Sequence, residues 1–263
     1  MYGLYSKRSA IISQIVLTVL AVLFATPLVI MFRVSLQGEG IQNYAAVLTH
    51  PLIPRFFLNS LIVSSSTVAI VFVSTLLSAY AFSKLNMPAK SVLYNAALVG
   101  LMIPAIALIV PLFLTIKNFG LLNHYFALIG PLSALIMPFT LVVCRNFFDE
   151  IPDSLLEAAR VDGCNSFMAM LYIMIPLSKP IATVIIIWSF LQSWNEYLLG
   201  LIFMQEETMQ IVTQAPQFFI GQYTQDTGKV FASLVLISLP VMVAYLLMQK
   251  FFEDSMTAGS VKG

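Results

Sequence analysis

The chain has 263 residues, of which 59% are hydrophobic and 10% are charged, and its mean hydropathy is +0.92. A soluble globular domain carries about 25% charged residues, so this composition indicates a membrane protein. A formal net charge of +1 gives no sign of a nucleic-acid partner. The sequence has no Gly-rich phosphate loop and no His and Cys set at metal-ligand spacing. We therefore expect no metal site, no cofactor and no ATP hydrolysis by this chain alone.

Six apolar stretches are long enough to cross the hydrocarbon core of a bilayer as helices, since about 20 residues at the helical rise span it. They lie at about residues 11–32, 59–83, 92–116, 121–144, 180–203 and 230–250. None shows the alternation that strands of a membrane barrel require. The sequence therefore predicts an all-α membrane protein with six transmembrane helices.

The positively charged residues predict the orientation of these helices. Six crossings place both termini on one side of the membrane. Nine Lys and Arg residues lie on that side: Lys7, Arg8, Lys84, Lys90, Arg145, Arg160, Lys179, Lys250 and Lys262. Four lie on the other: Arg33, Arg55, Lys117 and Lys229. By the positive-inside rule, both termini of this multi-pass protein are expected in the cytoplasm.

Prolines interrupt the third and fourth apolar stretches twice each, at Pro104, Pro111, Pro131 and Pro138. A proline inside a helix removes one backbone hydrogen bond, and membrane helices tolerate this where neighbouring groups satisfy the freed carbonyl. We therefore expect breaks or kinks in both spans.

Residues 145–180, here called the charged loop, form the longest charged interruption of the apolar chain. Ser154 followed by Glu157 fits a capping box, which predicts a helix start just after Pro152. Gly163 fits the left-handed residue that ends such a helix. Asn165 or Ser166 is suited to cap a second short helix.

Small residues suggest a contact surface on the first of these helices. Ala159 and Gly163 are four residues apart, so one helix face has little side-chain volume and another chain can approach it closely. Leu155, Leu156 and Ala158 add apolar surface nearby. Spacing alone also allows a local role, in which Glu157 only caps its helix and Gly163 only ends it.

The fifth apolar stretch contains Trp194, Asn195 and Glu196. A carboxylate inside a membrane is costly and normally faces a bundle interior or a watery cavity. These residues are therefore candidates for lining a translocation path. The alternative is that Asn195 and Glu196 make structural hydrogen bonds or lie near the outer interface.

Residues 204–229, here called the outer segment, connect the last two spans and carry Phe218, Phe219 and Tyr223. The segment is a candidate contact for an external protein or, equally, an interfacial surface segment.

After the sixth span, the tail at about 251–263 has too few apolar residues to cross a membrane. Its small residues Thr257, Ala258 and Gly259 are expected in an extended or turning path, or in a disordered terminus.

The charged loop resembles the signature loop of the membrane subunits of ATP-binding-cassette importers. Glu157-Ala158-Ala159 is followed after three residues by Gly163 and after nine more by "IMIP", which ends at Pro176. The departures are mild: Ile175 stands where leucine is usual, and Cys164 where alanine is common. The resemblance implies that the loop forms coupling helices in a groove of a cytoplasmic ATPase. The residues it assigns to this contact are Glu157, Ala158, Ala159, Asp162 and Gly163.

Similarity extends over nearly the whole chain and is closest to the carbohydrate branch, of the maltose-transporter type. The stretches that carry it are "NSLIVSSSTV" from Asn59, "IPAIALIVPLF" from Ile103, "SFLQSWNEYLLGLIF" from Ser189 and "MTAGSVKG" from Met256. The resemblance implies a single permease domain over 1–263 with the type I importer fold. It also implies that the tail, with Thr257, Ala258 and Gly259, reaches the ATPase.

The expected function is that of a permease subunit of a binding-protein-dependent sugar importer. The resemblance implies a second, related permease, two copies of an ATP-binding subunit that hold ATP and Mg, and an extracytoplasmic solute-binding protein. A permease for a non-sugar solute is the alternative. A stand-alone carrier is a further one, although it would be expected to use more intramembrane ionisable groups than Glu196.

Overall fold

The computed structural model describes residues 7–221 and 226–260, with side chains given for 9–221 and 226–249. These ranges form α-helices with short connections, which confirms the all-α prediction. The helices are α1 (Lys7–Ser35), α2 (Gln42–Thr49), α3 (Ile53–Lys84), α4 (Lys90–Met102), α5 (Ile109–Asn118), α6 (Phe126–Asp149), α7 (Asp153–Val161), α8 (Ser166–Ala169), α9 (Ile175–Leu177), α10 (Lys179–Trp194), α11 (Leu198–Phe203) and α12 (Thr227–Ser260). A π-helical turn lies at Met170–Met174, and 3₁₀ turns lie at Ala105–Leu108, Glu207–Met209 and Val212–Phe219.

Within the described ranges, four helices are individually long and apolar enough to cross a membrane: Ser9–Ser35, Ile53–Lys84, Phe126–Asp149 and Thr227–Gln249. Two further candidates are bent pairs. Lys90–Met102 and Ala105–Asn118 meet at 95°, and Ser166–Leu177 and Lys179–Trp194 meet at 79°. The described residues thus hold four such spans, or six if each bent pair is one span.

The prolines act differently in the two spans that contain them. α4 ends at Met102, and Pro104 lies in the sharp bend that follows. Pro131 and Pro138 lie inside α6, which continues past both to Asp149. The expected break in the fourth span is therefore wrong, and a kink at these prolines stays a prediction. Pro131 is buried within the protein, where packing holds the helix together despite the missing hydrogen bond.

The fifth predicted span, 180–203, is not one continuous helix. α10 ends at Trp194, and α11 begins only at Leu198. The Glu196 Oε1 atom accepts a hydrogen bond from the Leu199 amide at 2.7 Å, so this carboxylate caps the new helix. Capping by a side chain competes with continued helix, which explains the break at residues 195–197.

The chain divides into two compact units. The larger comprises 54–214 and 240–263. Its core contains fully or nearly fully buried side chains from α6, the charged loop, α10 and α11: Leu128, Leu141, Phe148, Met174, Ile185 and Phe203. A buried hydrogen bond of 2.7 Å joins the hydroxyls of Thr75 in α3 and Thr140 in α6. Long-range packing of α3, α6 and α10 therefore sets the frame on which the charged loop is held.

The smaller unit comprises 1–53 and 215–239. Buried Asn43 in α2 donates hydrogen bonds to the carbonyls of Ser35 and Gln37, at 2.9 and 2.7 Å. Gly228 packs so closely against Asn43 and the Gln37 carbonyl that a Cβ at this position would clash with both. Lys229 pairs with Glu39 at 3.3 Å and with Asp226 at 2.9 Å, and its hydrogen bond lowers the pKa of Asp226.

Candidate functional site

The first helix of the charged loop begins directly after Pro152, as its sequence predicts, but it does so without the predicted capping box. α7 begins at Asp153, so Ser154 is inside the helix, and the N-cap residue Pro152 makes no side-chain capping bond. The predicted capping box of Ser154 and Glu157 is therefore wrong. The Asp153 carboxylate lies in the first turn, where a negative charge is favourable. It also pairs with Lys84 of α3 at 2.7 Å, which fixes where the helix begins.

The C-terminal end of α7 confirms the predicted glycine turn. Gly163 has φ +88°, in the left-handed region that side chains rarely adopt. The Gly163 amide donates to the Arg160 carbonyl at 3.1 Å, and the Cys164 amide donates to the Ala159 carbonyl at 2.9 Å. These two bonds make a Schellman motif. Asn165 then caps α8 by accepting a hydrogen bond from the Met168 amide at 2.8 Å.

The exposed face of α7 differs from the one expected. Ala159 is only 5% exposed and packs into the core together with Leu156, so Ala159 and Gly163 do not form an open surface of small residues. The prediction of that face is wrong because the helix turns Ala159 toward its own unit. Three apolar residues of α7 remain exposed, and we call them the α7 face: Leu155, Ala158 and Val161, with Val161 88% exposed. Glu157 and Asp162 are exposed beside it.

Hydrogen bonds tie the charged loop to the end of α3. Lys84 has a side chain only 5% exposed, and its Nζ donates to the Ile151 carbonyl at 2.7 Å as well as to Asp153. The hydrogen bond from Lys84 to Asp153 lowers the pKa of the Asp153 carboxyl below its ordinary value. The Tyr80 hydroxyl donates to the Ser166 carbonyl at 2.9 Å. Both short helices of the loop are thus joined to one transmembrane helix, so they can move with it.

The three candidate path residues of the fifth span have different surroundings. Trp194 is 3% exposed, and its ring stacks on Phe190 with centroids 5.5 Å apart. It is therefore a packing residue in this structure. Asn195 is exposed, and half-buried Glu196 caps α11. The structural hydrogen bond that the sequence left as an alternative for Glu196 is thus present.

Glu196 also lines a cleft of about 360 Å³ in the larger unit. Trp188 and Gln192 of α10 line the same cleft, together with Phe139 of α6 and the bend after α4. Sequence reasoning missed Trp188 and Gln192. A signal was available, because positions 188 and 192 are one helical turn apart on the span that leads to Glu196.

Residues 204–214 of the outer segment are fastened by amide side chains. The Asn123 Oδ1 atom accepts from the amides of Gln205 and Glu206, at 2.6 and 2.8 Å. Asn59 of α3 donates to the carbonyls of Thr208 and Gln210, at 2.9 and 2.7 Å. This part of the segment is therefore a defined surface feature.

The rest of the outer segment lies in the smaller unit or outside the described residues. Phe218 and Phe219 meet the ring of His50 edge-on, with centroids 5.2 and 6.0 Å apart. The two aromatic residues thus have partners within that unit. Tyr223 lies outside the described residues.

The tail is helical at its start. α12 continues through Ser260, well beyond the predicted end of the sixth span, so Thr257, Ala258 and Gly259 have helical backbone. The extended or turning path expected for them is wrong. Their side chains, and residues 261–263, lie outside the described part of the chain.

Comparison with known proteins gives consistent relatives. A diacetylchitobiose uptake system permease protein of Streptomyces coelicolor is 29% identical, over 97% of this chain and 90% of that protein. A probable ABC transporter permease protein of Bacillus subtilis is 35% identical, over 88% and 73%. A trehalose transport system permease protein of Mycobacterium tuberculosis is 31% identical, over 84% and 82%.

Among solved structures, a chain of a bacterial ABC transporter involved in the import of the acidic polysaccharide alginate shares the fold. Its TM-score is 0.81 at 23% identity, and the match covers 95% of this chain and 99% of that one. Residues 74–258 match the family described as binding-protein-dependent transport system inner membrane component, a range that includes the charged loop and the cleft. The chain therefore belongs to the family of inner membrane components of binding-protein-dependent transport systems.

Proposed function

We propose that this chain is the permease subunit of an ATP-driven, binding-protein-dependent sugar importer and forms half of its translocation pathway. The observation that carries the proposal is the α7 face. It leaves Leu155 and Val161 exposed on a short helix whose first residue, Asp153, pairs with Lys84 of α3. An exposed apolar surface of this kind needs a partner, and its connection to a transmembrane helix provides a route for transmitting motion.

The sugar class is supported by what relatives are named for. They include permeases for diacetylchitobiose, for trehalose, for melibiose, raffinose and stachyose, and for sulfoquinovosyl glycerol. A non-sugar solute is the alternative that the charged loop by itself does not exclude. An ATP-independent carrier is the other alternative.

The assembly follows from this function. A second, related permease completes the pathway, two copies of an ATP-binding subunit hold ATP and Mg, and an extracytoplasmic binding protein delivers the sugar. Both termini lie in the cytoplasm, which the excess of Lys and Arg on their side supports. This chain performs no hydrolysis and transmits the motion of its ATPase partners.

Docking to the ATPase centres on α7. The α7 face, which includes Ala158, contacts the ATPase directly. The exposed side chains of Glu157 and Asp162 beside it do so as well. Ala159 acts from inside, because its small side chain lets the helix lie close to its own core. Gly163 ends the helix and leaves open space around its Cα.

Two further contacts belong to the same proposal. The tail, with Thr257, Ala258 and Gly259, extends α12 by helical backbone toward the ATPase. In the membrane, Glu196 and Asn195 lie on the translocation path. Trp194, the last residue of α10, stacks on Phe190 and so supports the helix break that contains them.

The test is reconstitution of the chain with its partner permease, ATPase and binding protein in proteoliposomes. We expect ATP-dependent uptake of a mono- or oligosaccharide and stimulation of ATP hydrolysis by the loaded binding protein. Deleting 257–263 should leave membrane insertion unchanged and lower the stimulated hydrolysis. Uptake by this chain without ATP or partners would overturn the proposal and favour the stand-alone carrier.

A further inference from the structure

Two interrupted helices meet at the cleft that contains Glu196. One is the third span, which bends by 95° after Met102 and contributes Ile103 and Ala105 to the lining. The other is the fifth span, which is broken between Trp194 and Leu198 and contributes Glu196. Irregular backbone inside a membrane is tolerated where it is buried in protein or lines a water-filled cavity. In transporters, such broken helices commonly frame a solute site.

An aromatic surface forms one wall of the cleft. Trp188 and Phe139 have ring centroids 4.5 Å apart and an interplanar angle of 35°, and each side chain is 36% exposed. The two rings are therefore partly exposed to the cleft. An open aromatic face is suited to the apolar C–H face of a pyranose ring.

Polar groups lie beside this aromatic wall. Gln192 is exposed one helical turn after Trp188 and offers both an amide donor and an acceptor. Glu196 has one oxygen bound to the Leu199 amide, and its main-chain carbonyl accepts from the Thr213 hydroxyl at 2.6 Å. These bonds hold the carboxylate in place and leave acceptor capacity for the hydroxyl groups of a ligand.

The charge of the cleft selects among sugars. Among the described residues that line it, Glu196 alone carries a formal charge. A uronate or sulfonate ligand would place a like charge near this carboxylate in a site of low dielectric constant, which is unfavourable. A volume of about 360 Å³ lies at the lower end of the range of roughly 300–1,000 Å³ that ligand pockets occupy, which suits a small ligand.

We propose that this cleft is a contact site for a neutral pyranose ring during translocation, with Trp188 as the stacking surface and Gln192 and Glu196 as its hydrogen-bonding groups. The assignment rests on the proposed function and adds to it a site within this subunit and a preference for uncharged rings. It distinguishes Trp188 from Trp194, which is buried against Phe190.

Site-directed thiol labelling tests the proposal in the complete transporter. Gln192→Cys is made in a Cys164→Ser background, where the remaining native thiol, Cys144, is buried. A water-soluble thiol reagent is applied with and without maltose, trehalose, diacetylchitobiose or digalacturonate. We expect at least one neutral disaccharide to slow labelling by about tenfold and digalacturonate to have no effect. Asn118→Cys, at an exposed position at the end of α5 and outside the cleft lining, is the matched control and should label equally in every case.

Variants of the cleft sharpen the result. Trp188→Leu keeps apolar volume but removes the flat ring, so it should abolish the protection, whereas Trp188→Phe should retain part of it. Glu196→Gln should allow digalacturonate to protect, because the like charge is gone while an acceptor for the Leu199 amide remains. Protection by no neutral sugar, or equal protection by digalacturonate with Glu196 intact, would overturn the proposal.

Stimulated ATP hydrolysis, measured in the same preparation, distinguishes failure of the cleft assignment from failure of the proposed importer function. Hydrolysis that responds to a neutral sugar without protection of Gln192→Cys overturns the cleft assignment alone. Hydrolysis that responds to none of the four probes counts against the sugar importer itself and against the cleft assignment with it.

Discussion

The charged loop and residues 204–214 of the outer segment both connect transmembrane helices, yet their polar and apolar groups are arranged in opposite ways. In the outer segment, Asn59 and Asn123 satisfy four backbone groups of the connection. In the charged loop, α7 satisfies its own backbone through its helix and the turn at Gly163, and it leaves Val161 88% exposed.

This difference distinguishes a surface whose polar groups are satisfied within the chain from a surface whose exposed apolar residues need a partner. A connection whose backbone groups are satisfied by side-chain amides of the same chain needs no other chain, so changes there should lower stability. A helix with an exposed apolar face is completed only by a partner, so changes on that face should affect coupling and leave stability nearly unchanged.

Asn59→Leu is expected to have the largest effect on stability. It removes two donors from the Thr208 and Gln210 carbonyls and the acceptor of the Tyr125 hydroxyl at 2.7 Å. Stranding these groups should cost about 3 kcal/mol or more of unfolding free energy. Thermal unfolding of the purified protein in detergent measures the loss. Tyr125→Phe, which removes only the last of these bonds, should cost about 1 kcal/mol, and an unchanged Tm for Asn59→Leu would contradict the comparison.

Gly163→Ala is expected to cost about 1–3 kcal/mol, because a non-glycine residue is strained at φ +88°. A Cβ at Gly163 would have no neighbour within 4 Å, so Gly163→Leu should destabilise the isolated chain by a similar amount. Gly163→Asn should be milder, since asparagine tolerates the left-handed region better. If Leu lowers stimulated ATP hydrolysis much more than Ala at equal stability, the space around Gly163 belongs to a docking surface; equal effects would limit Gly163 to its turn.

Asp153→Asn tests the ion pair that joins α7 to α3. Because the hydrogen bond from Lys84 lowers the folded-state pKa of Asp153, its contribution to stability is complete above the ordinary pKa of about 3.9. It is lost as the pH falls through the lowered value. Wild type should therefore lose its advantage over Asp153→Asn in acid, measured as the difference in Tm between neutral and acidic pH. An advantage that persists undiminished in acid would show that the carboxylate charge is not its source.

Val161→Asp is expected to have the smallest effect on stability, within about 0.5 kcal/mol, since the side chain is exposed. It places a charge in the middle of the α7 face, so co-purification of the ATPase and sugar-stimulated hydrolysis should fall sharply. Leu156→Asp, on the buried side of the same helix, is the matched contrast and should unfold the loop. Full coupling by Val161→Asp would mean that the α7 face is not where the ATPase docks.

Features that depend on a few neighbouring residues could be read from the sequence. The apolar runs, the turn at Gly163 and the cap at Asn165 agree with the structure, because length, left-handed backbone and side-chain capping are local properties. Even local patterns compete, however. The predicted capping box of Ser154 and Glu157 does not form, and the helix start at Asp153 is instead stabilised by a distant lysine, Lys84.

Tertiary structure decided which face of each helix is covered and where the spans break. In a membrane, side chains that face lipid and side chains that face protein are both apolar, so hydrophobic periodicity does not separate them. The sequence therefore did not show that Ala159 is buried, that α6 continues past Pro131, or that Trp188 and not Trp194 reaches the cleft. Those outcomes depend on where α3, α6 and α10 meet, and such contacts join residues far apart in the chain.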